Sequence, residues 1–217
     1  MNRYLQMPNI KIISHELNLL CIKSKQFFVS SLFFLLFFAI FSFLHQQFTS
    51  KNLFISANII ASLSVILAFF YNFCQSDIAD GTMEQMLILH QNFELFIIIK
   101  ILANWLAIIL PIITTSSILA LLHNFSYNEI CRLVAIMTLA TLAISFISAM
   151  SGVITNHFHS FGYATIIALP LVLPILLISY LAFMQDFWLN YKIIIALAIF
   201  IITTTSFATA KTIKCLI

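Results

Sequence analysis

Long apolar runs separated by short polar stretches make up most of this chain. A helix needs about 20 mostly apolar residues to cross the hydrocarbon core of a bilayer. The gaps between charged residues predict six such helices, at about 27–44, 53–73, 101–122, 132–154, 163–183 and 191–210. The fourth and fifth come from one run without Asp, Glu, Lys or Arg, 133–185, which we divide at the polar patch 156–160. The first run is longer than the h-region of a signal peptide, about 7–15 residues, so we interpret it as a span.

Composition supports a membrane protein and excludes several functions. The chain is 62% hydrophobic and 8% charged, with a mean hydropathy of +1.09, whereas soluble domains carry about 25% charged residues. A net charge of +3 is too small and scattered to indicate nucleic-acid binding. The four cysteines are single and widely spaced, which predicts neither a disulfide framework nor a metal site. With three glycines and no phosphate-binding loop, the chain does not hydrolyse ATP itself.

The distribution of basic residues predicts the orientation. Six spans place both termini on one side, and seven of the ten Lys and Arg residues fall on that side. An excess of basic residues marks the cytoplasmic side, so both termini and the loop at about 74–100 are predicted to be cytoplasmic. The whole chain, 1–217, is then a single membrane domain with very short external loops.

The segment before the first span has helical periodicity. Apolar residues recur at spacings of three and four across residues 9–26, at Ile10, Ile13, Leu17 and Leu20. This pattern favours a helix lying in the cytoplasmic interface, with Lys23 near anionic headgroups. The alternative is a plain tail that only sets the orientation.

The loop at about 74–100 contains most of the acidic residues of the chain. It holds four of the seven carboxylates, Asp77, Asp80, Glu84 and Glu94. Gly81 allows the positive φ of a tight turn, and Asp80 can accept backbone hydrogen bonds there.

A short helix is predicted to follow this turn, over about 84–90. Thr82 suits its N-cap, and Glu84 and Gln85 suit its first turn. Its predicted apolar face consists of Met83, Met86, Leu87 and His90. Such a helix could fit a groove on a partner protein; the alternative is a solvated turn that binds nothing.

Three segments carry a family resemblance. Residues 77–87 read Asp-x-x-Asp-Gly-Thr-Met-Glu-Gln-Met-Leu, residues 100–106 read Lys-Ile-Leu-Ala-Asn-Trp-Leu, and a Leu-Pro follows at 110–111. In this combination and order the chain resembles the haem exporter protein B family (CcmB), the permease subunits of the ABC complex for cytochrome c maturation. The segments 168–174 and 206–210 extend the similarity. Asn104 stands where the family usually has histidine, so no haem-ligand role is carried over to it.

The resemblance implies an ABC-2-like permease subunit of the inner membrane, bacterial or mitochondrial, that is not itself an enzyme. The loop helix would be its coupling helix on a separate ABC ATPase subunit, which binds the ATP. The residues implied in this coupling are Asp77, Asp80, Gly81, Thr82, Glu84, Gln85 and Leu87. Further implied partners are haem-handling membrane subunits, a haem chaperone and a second copy of the chain. No cofactor is predicted to be resident, and haem is the implied cargo.

Other features have weaker functional interpretations. Pro170 and Pro174 lie one turn apart in the fifth span and could form a hinge or a static kink. Hydroxyl clusters at 114–117 and 203–206 could line a path, but are expected to bond to their own helix carbonyls or to neighbouring spans. His45 and His123 lie near the external surface, where interfacial packing is favoured over haem ligation.

Two rival functions are consistent with the same sequence. One is an ABC-2 permease for another cargo, such as a lipid or a drug. The other is a non-transporting scaffold that converts ATPase motion into the release of a bound protein. Haem flux in proteoliposomes would separate transport from the scaffold.

Overall fold

A computed structural model of the chain describes residues 25–44, 51–70, 81–89, 93–158, 161–185 and 187–216. Within these ranges the regular secondary structure is entirely helical. In chain order the helices are α1 (Lys25–Leu44), α2 (Lys51–Phe70), α3 (Thr82–Leu89), α4 (Phe93–Leu122), α5 (Tyr127–Phe158), α6 (Phe161–Met184) and α7 (Phe187–Leu216).

Four of these helices, α2, α4, α5 and α7, are long and apolar enough to cross a membrane. The described apolar parts of α1 and α6, Val29–Ile40 and Ala168–Met184, are shorter. The chain is therefore an all-α membrane protein, as its sequence predicts. Each of the six predicted spans overlaps one long helix, while the number of crossings and the orientation stay predictions.

The helices extend beyond the apolar runs from which they were predicted. The third span was predicted from residue 101, but α4 begins at Phe93 and includes Glu94 and Lys100. Charged residues end an apolar run without ending a helix, because Glu and Lys are good helix formers. Glu94 also lies in the first turn of α4, where the helix dipole favours an acidic side chain.

Helix α5 is at the centre of the bundle and packs against α2, α4, α6 and α7. It is the most buried of the four candidate spans. Its buried face alternates small residues such as Ala143 and Ala149 with larger ones such as Phe146. Small residues let helix backbones approach closely, which is how membrane helices gain packing energy where no hydrophobic force drives them together.

Hydroxyl side chains within the bundle mostly bond to their own helices. Thr141 and Ser148 in α5 donate to carbonyls four residues earlier, at 2.6 and 2.8 Å. Thr115 in α4 and Thr204 in α7 do the same. Ser116 instead accepts a 2.6 Å bond from the Asn58 amide of α2. The expectation for the two hydroxyl clusters, bonding within the helix or to a neighbouring span, is confirmed at these positions.

The predicted interfacial helix at 9–26 lies almost wholly outside the described residues. Only its last two positions, 25 and 26, are described, and they belong to α1.

Candidate partner-docking site

The turn that opens the acidic loop helix has the conformation its glycine was expected to provide. Gly81 has a φ of +67°, in the left-handed region that side chains with a Cβ adopt at a cost. A Cβ added there would meet no other atom within 4 Å. Backbone conformation, and not crowding, is therefore the reason for glycine at this position.

Helix α3 begins directly after this glycine, close to the predicted position. Of the other predicted coupling residues, Asp77 and Asp80 lie outside the described residues. Thr82 and Gln85 belong to α3, but their side chains are not among those described. The side chains of Glu84 and Leu87 are described: Glu84 is exposed and Leu87 is half-buried.

Helix α3 turns its apolar side to the protein's own core. Met83 is fully buried there, and Leu87, one turn later, is half-buried against the same core. At these two positions the predicted apolar face is covered by the chain's own core, and the coupling role of Leu87 stays a prediction. A short helix has little stability alone, so its apolar face is used to anchor it to the bundle.

The outward face of α3 carries Glu84, which is exposed, and Ile88, which is 82% exposed. These two residues are four apart and so share one side of the helix. Helix α4 begins four residues after the end of α3, and its first turn adds exposed Glu94 and Leu95 beside buried Phe93 and Phe96. We call Glu84, Ile88, Glu94 and Leu95 the acidic–apolar surface.

The chemistry of this surface suits a protein partner. Two carboxylates can pair with Lys or Arg, and two branched apolar side chains can fill a groove. Within the described part of the chain neither Glu84 nor Glu94 forms an ion pair. This surface therefore offers a partner two exposed carboxylates and two exposed apolar side chains.

The second family segment ties α4 to the rest of the bundle. Lys100 is only 8% exposed, and its ammonium lies 6.0 Å from the centroid of the Phe96 ring. Asn104 donates a 2.9 Å bond to the Lys100 carbonyl. Trp105 donates its indole N–H to the Thr141 hydroxyl of α5 at 3.2 Å. This interhelical bond was missed from the sequence, although an indole N–H in an apolar span needs an acceptor.

Pro170 and Pro174 both lie inside α6 and are exposed. They form part of the wall of an open groove of about 800 Å³ between α2 and α6. Their role as a hinge stays a prediction.

His123 packs against an aromatic side chain of α2. Its ring lies 4.8 Å, centroid to centroid, from Phe54. His45 lies outside the described residues. Among the side chains that the structure describes, no group of three His, Cys, Asp or Glu could hold a metal ion.

The opposite end of the bundle contains a charged network that sequence reasoning missed. Lys51 at the start of α2 contacts both carboxylate oxygens of Glu129, at 2.8 and 2.9 Å. Glu129 Oε2 also accepts a 2.7 Å bond from the Ser126 N–H, and the Glu129 N–H donates to Ser126 Oγ at 3.4 Å. This reciprocal pair is a capping box, and the Ser-x-x-Glu spacing before an apolar run was the signal that could have found it.

Comparison with known proteins agrees with the resemblance in the sequence. A family model described as CcmB protein matches residues 7–215. Heme exporter protein B of Haemophilus influenzae is 32% identical over 120 residues, which cover 55% of this chain and 54% of that protein. Heme exporter protein B of Pseudomonas aeruginosa is 27% identical over 121 residues, with the same coverage. The chain thus spans about half the length of the curated relatives it matches.

The family match extends over nearly the whole chain and includes the described helices except for Leu216, the last residue of α7. It also includes the three segments, 77–87, 100–106 and 110–111, that carry the resemblance. This all-α membrane chain therefore belongs to the CcmB protein family.

Proposed function

We propose that this chain is the membrane permease subunit of an ABC complex for haem export in cytochrome c maturation. The names of its relatives support haem as the cargo. The chain itself is a non-catalytic subunit, and ATP is hydrolysed by a separate chain. We propose that it lies in the inner membrane, as its family resemblance implies. The distribution of its Lys and Arg residues supports an orientation with both termini in the cytoplasm.

One observation carries the proposed coupling role: α3 is anchored on one side and open on the other. Met83 and Leu87 hold it against the core, while Glu84 and Ile88 face outward. An ATPase subunit with basic residues beside an apolar groove would complement this face. We propose that α3 and the first turn of α4 form the docking element.

The contacts of α4 suggest how motion of the ATPase would enter the membrane. Met83 of α3 packs in the same core as Phe93 and Phe96 of α4. Further along α4, Trp105 is bonded to Thr141 of α5. A displacement of α3 by the closing ATPase would therefore move α4 and, through it, the central helix. We propose that this motion drives haem handling or the release of a haem-loaded chaperone from its partner subunits, in a complex holding two copies of this chain.

The proposal is tested by recovering the complex from native membranes. The tagged chain is extracted in a mild detergent, and its partners are identified by mass spectrometry. We expect an ABC ATPase together with haem-handling proteins. The variant Glu84→Lys should lose the ATPase, because the reversed charge faces the basic residues of the partner. The matched control is Lys192→Glu, an exposed charge reversal on α7.

Each outcome is informative. An ATPase that is recovered equally with Glu84→Lys and with the unchanged chain would refute docking through α3. An ATPase recovered without haem-handling proteins would point to a permease for another cargo. If intact and well-expressed protein recovers no ATPase, the proposal that this chain is a subunit of an ABC complex is refuted.

A further inference from the structure

The groove between α2 and α6 is almost wholly apolar, with two hydroxyl-bearing residues, Ser56 and Tyr180, toward one end. Its volume is about 800 Å³, within the range of about 300–1,000 Å³ that binds a small molecule. Helix α2 contributes Ser56 and Ile60 to the wall, and α6 contributes a stripe from Pro170 to Tyr180. Every residue described along this wall is uncharged.

The start of α2 and the end of α6 lie on the same side of the bundle. Phe125 shows this, because its ring is 5.0 Å from the Phe54 ring of α2 and 6.3 Å from the Phe183 ring of α6. Ser56 is five residues from the start of α2, and Tyr180 is four residues from the end of α6. At 1.5 Å per residue the backbones of both residues are about 6–8 Å along the helices from that side.

The apolar end of the groove lies deeper. On the same scale, Pro174 is about 15 Å and Pro170 about 21 Å from the end of α6. Half of the hydrocarbon core of a bilayer is about 15 Å thick. From Tyr180 to Pro170 the groove thus runs about 15 Å along α6, about the thickness of the hydrocarbon of one leaflet, with the hydroxyl-bearing residues toward one end and aliphatic walls toward the other.

The groove is also open to the outside of the helix bundle. Leu177 on its wall is 61% exposed, and Ile60 and Leu173 are exposed as well. In a membrane protein such side chains are in contact with hydrocarbon, so an apolar guest can enter laterally without crossing a polar barrier.

We propose that this groove binds an acyl chain of a phospholipid from the leaflet on the side of the start of α2. The uncharged wall complements the chain, and its polarity changes along its length in the same order as that of the lipid. The Tyr180 hydroxyl donates a hydrogen bond to the ester carbonyl, since esters only accept. The Ser56 hydroxyl is already donating to the Leu53 carbonyl at 2.9 Å. The bound chain fills the space between α2 and α6 and supports α6 at Pro170 and Pro174.

Native mass spectrometry of the full chain tests this. The protein is extracted from its own membranes, and weakly held lipid is removed by increasing the detergent concentration. We expect one phospholipid per chain to remain. Leu177→Trp fills the groove and should lower this retention about tenfold, because overpacking a close-fitting site is unfavourable. Leu121→Trp is the matched control, since Leu121 of α4 is 62% exposed but lies outside the groove.

A second variant keeps the test sound if Leu177→Trp does not fold. Ile60→Trp fills the groove from the opposite wall and should cause the same loss. Retention of no phospholipid by the unchanged chain, or equal retention in both groove variants, overturns the proposal. A photo-crosslinker at position 177 that captures a second copy or another protein in native membranes also overturns it, because a protein helix would then occupy the groove.

Discussion

The described carboxylates at the two ends of the bundle differ in whether they are bonded within the chain. At the end formed by the start of α2 and the α4–α5 connection, Glu129 is held by Lys51 and by the backbone N–H of Ser126. Lys51 also lies 5.1 Å from the centroid of the Phe125 ring. At the end formed by α3 and the start of α4, Glu84 and Glu94 are exposed and, within the described residues, form no ion pair.

This contrast distinguishes a carboxylate that stabilises the fold from carboxylates that are available to a partner. An acidic residue whose oxygens are satisfied within the chain contributes to folding, and a partner gains little from it. An exposed acidic residue on an anchored helix contributes little to folding and remains available to a partner. Four of the seven carboxylates lie in the loop at 74–100, which is the end we propose docks the ATPase.

The largest effect is expected from Ile88→Asp. The substitution replaces the most exposed apolar side chain of the acidic–apolar surface with a charge. If Ile88 contributes as much as a typical hot-spot residue, about 2 kcal/mol, the affinity for the ATPase falls about 30-fold. The affinity of the ATPase for the purified chain measures this. Tyr127→Asp is the control, because Tyr127 is 80% exposed at the opposite end. Equal losses in both variants would remove the distinction between the two ends.

The next largest effects are expected from replacing one carboxylate at each end of the bundle by an amide. The two variants should differ in opposite ways in their stability and in their binding of the ATPase. Glu129→Gln removes the ion pair with Lys51 and the charge of the bond from the Ser126 N–H, although Gln can keep the capping box. It is expected to lower the free energy of unfolding by about 1 kcal/mol while leaving ATPase binding unchanged. Glu84→Gln should weaken ATPase binding and leave thermal unfolding in detergent nearly unchanged. A common pattern in the two variants would contradict the comparison.

A smaller effect is expected at the turn before α3. Gly81→Ala forces a Cβ into the left-handed region at a cost of about 1 kcal/mol, or about fivefold in the population of the docking conformation. Gly81→Asn should cost less, because asparagine tolerates this region. Amide hydrogen exchange of α3 and the recovery of the ATPase measure both. If alanine and asparagine behave alike, the positive φ of Gly81 is not what orders the helix.

The smallest effect is expected from salt. Raising the ionic strength from about 0.1 M to about 1 M shortens the screening length from about 10 Å to about 3 Å. ATPase binding should weaken by a few fold in the unchanged chain and by less in Glu84→Gln, because the variant lacks one of the charges being screened. The same salt dependence in both proteins would show that Glu84 does not face a basic residue of the partner.

The sequence determined the all-α membrane class, the approximate place of each long helix and the turn at Gly81. These features depend on local chemistry: apolar length fixes which segments can lie in a bilayer, and only glycine adopts a positive φ at no cost. The same local patterns supported the family resemblance, since its motifs are short segments in order along the chain.

Only the tertiary structure decided which face of each helix is used. The spacing of Met83 and Leu87 predicted an apolar face but could not say that the chain's own core would cover it. The pairing of Lys51 with Glu129 joins residues 78 positions apart, and the groove beside Pro170 exists because α2 and α6 leave space between them. Periodicity along one helix carries no information about the neighbour it meets, because that is set by how all the helices pack together.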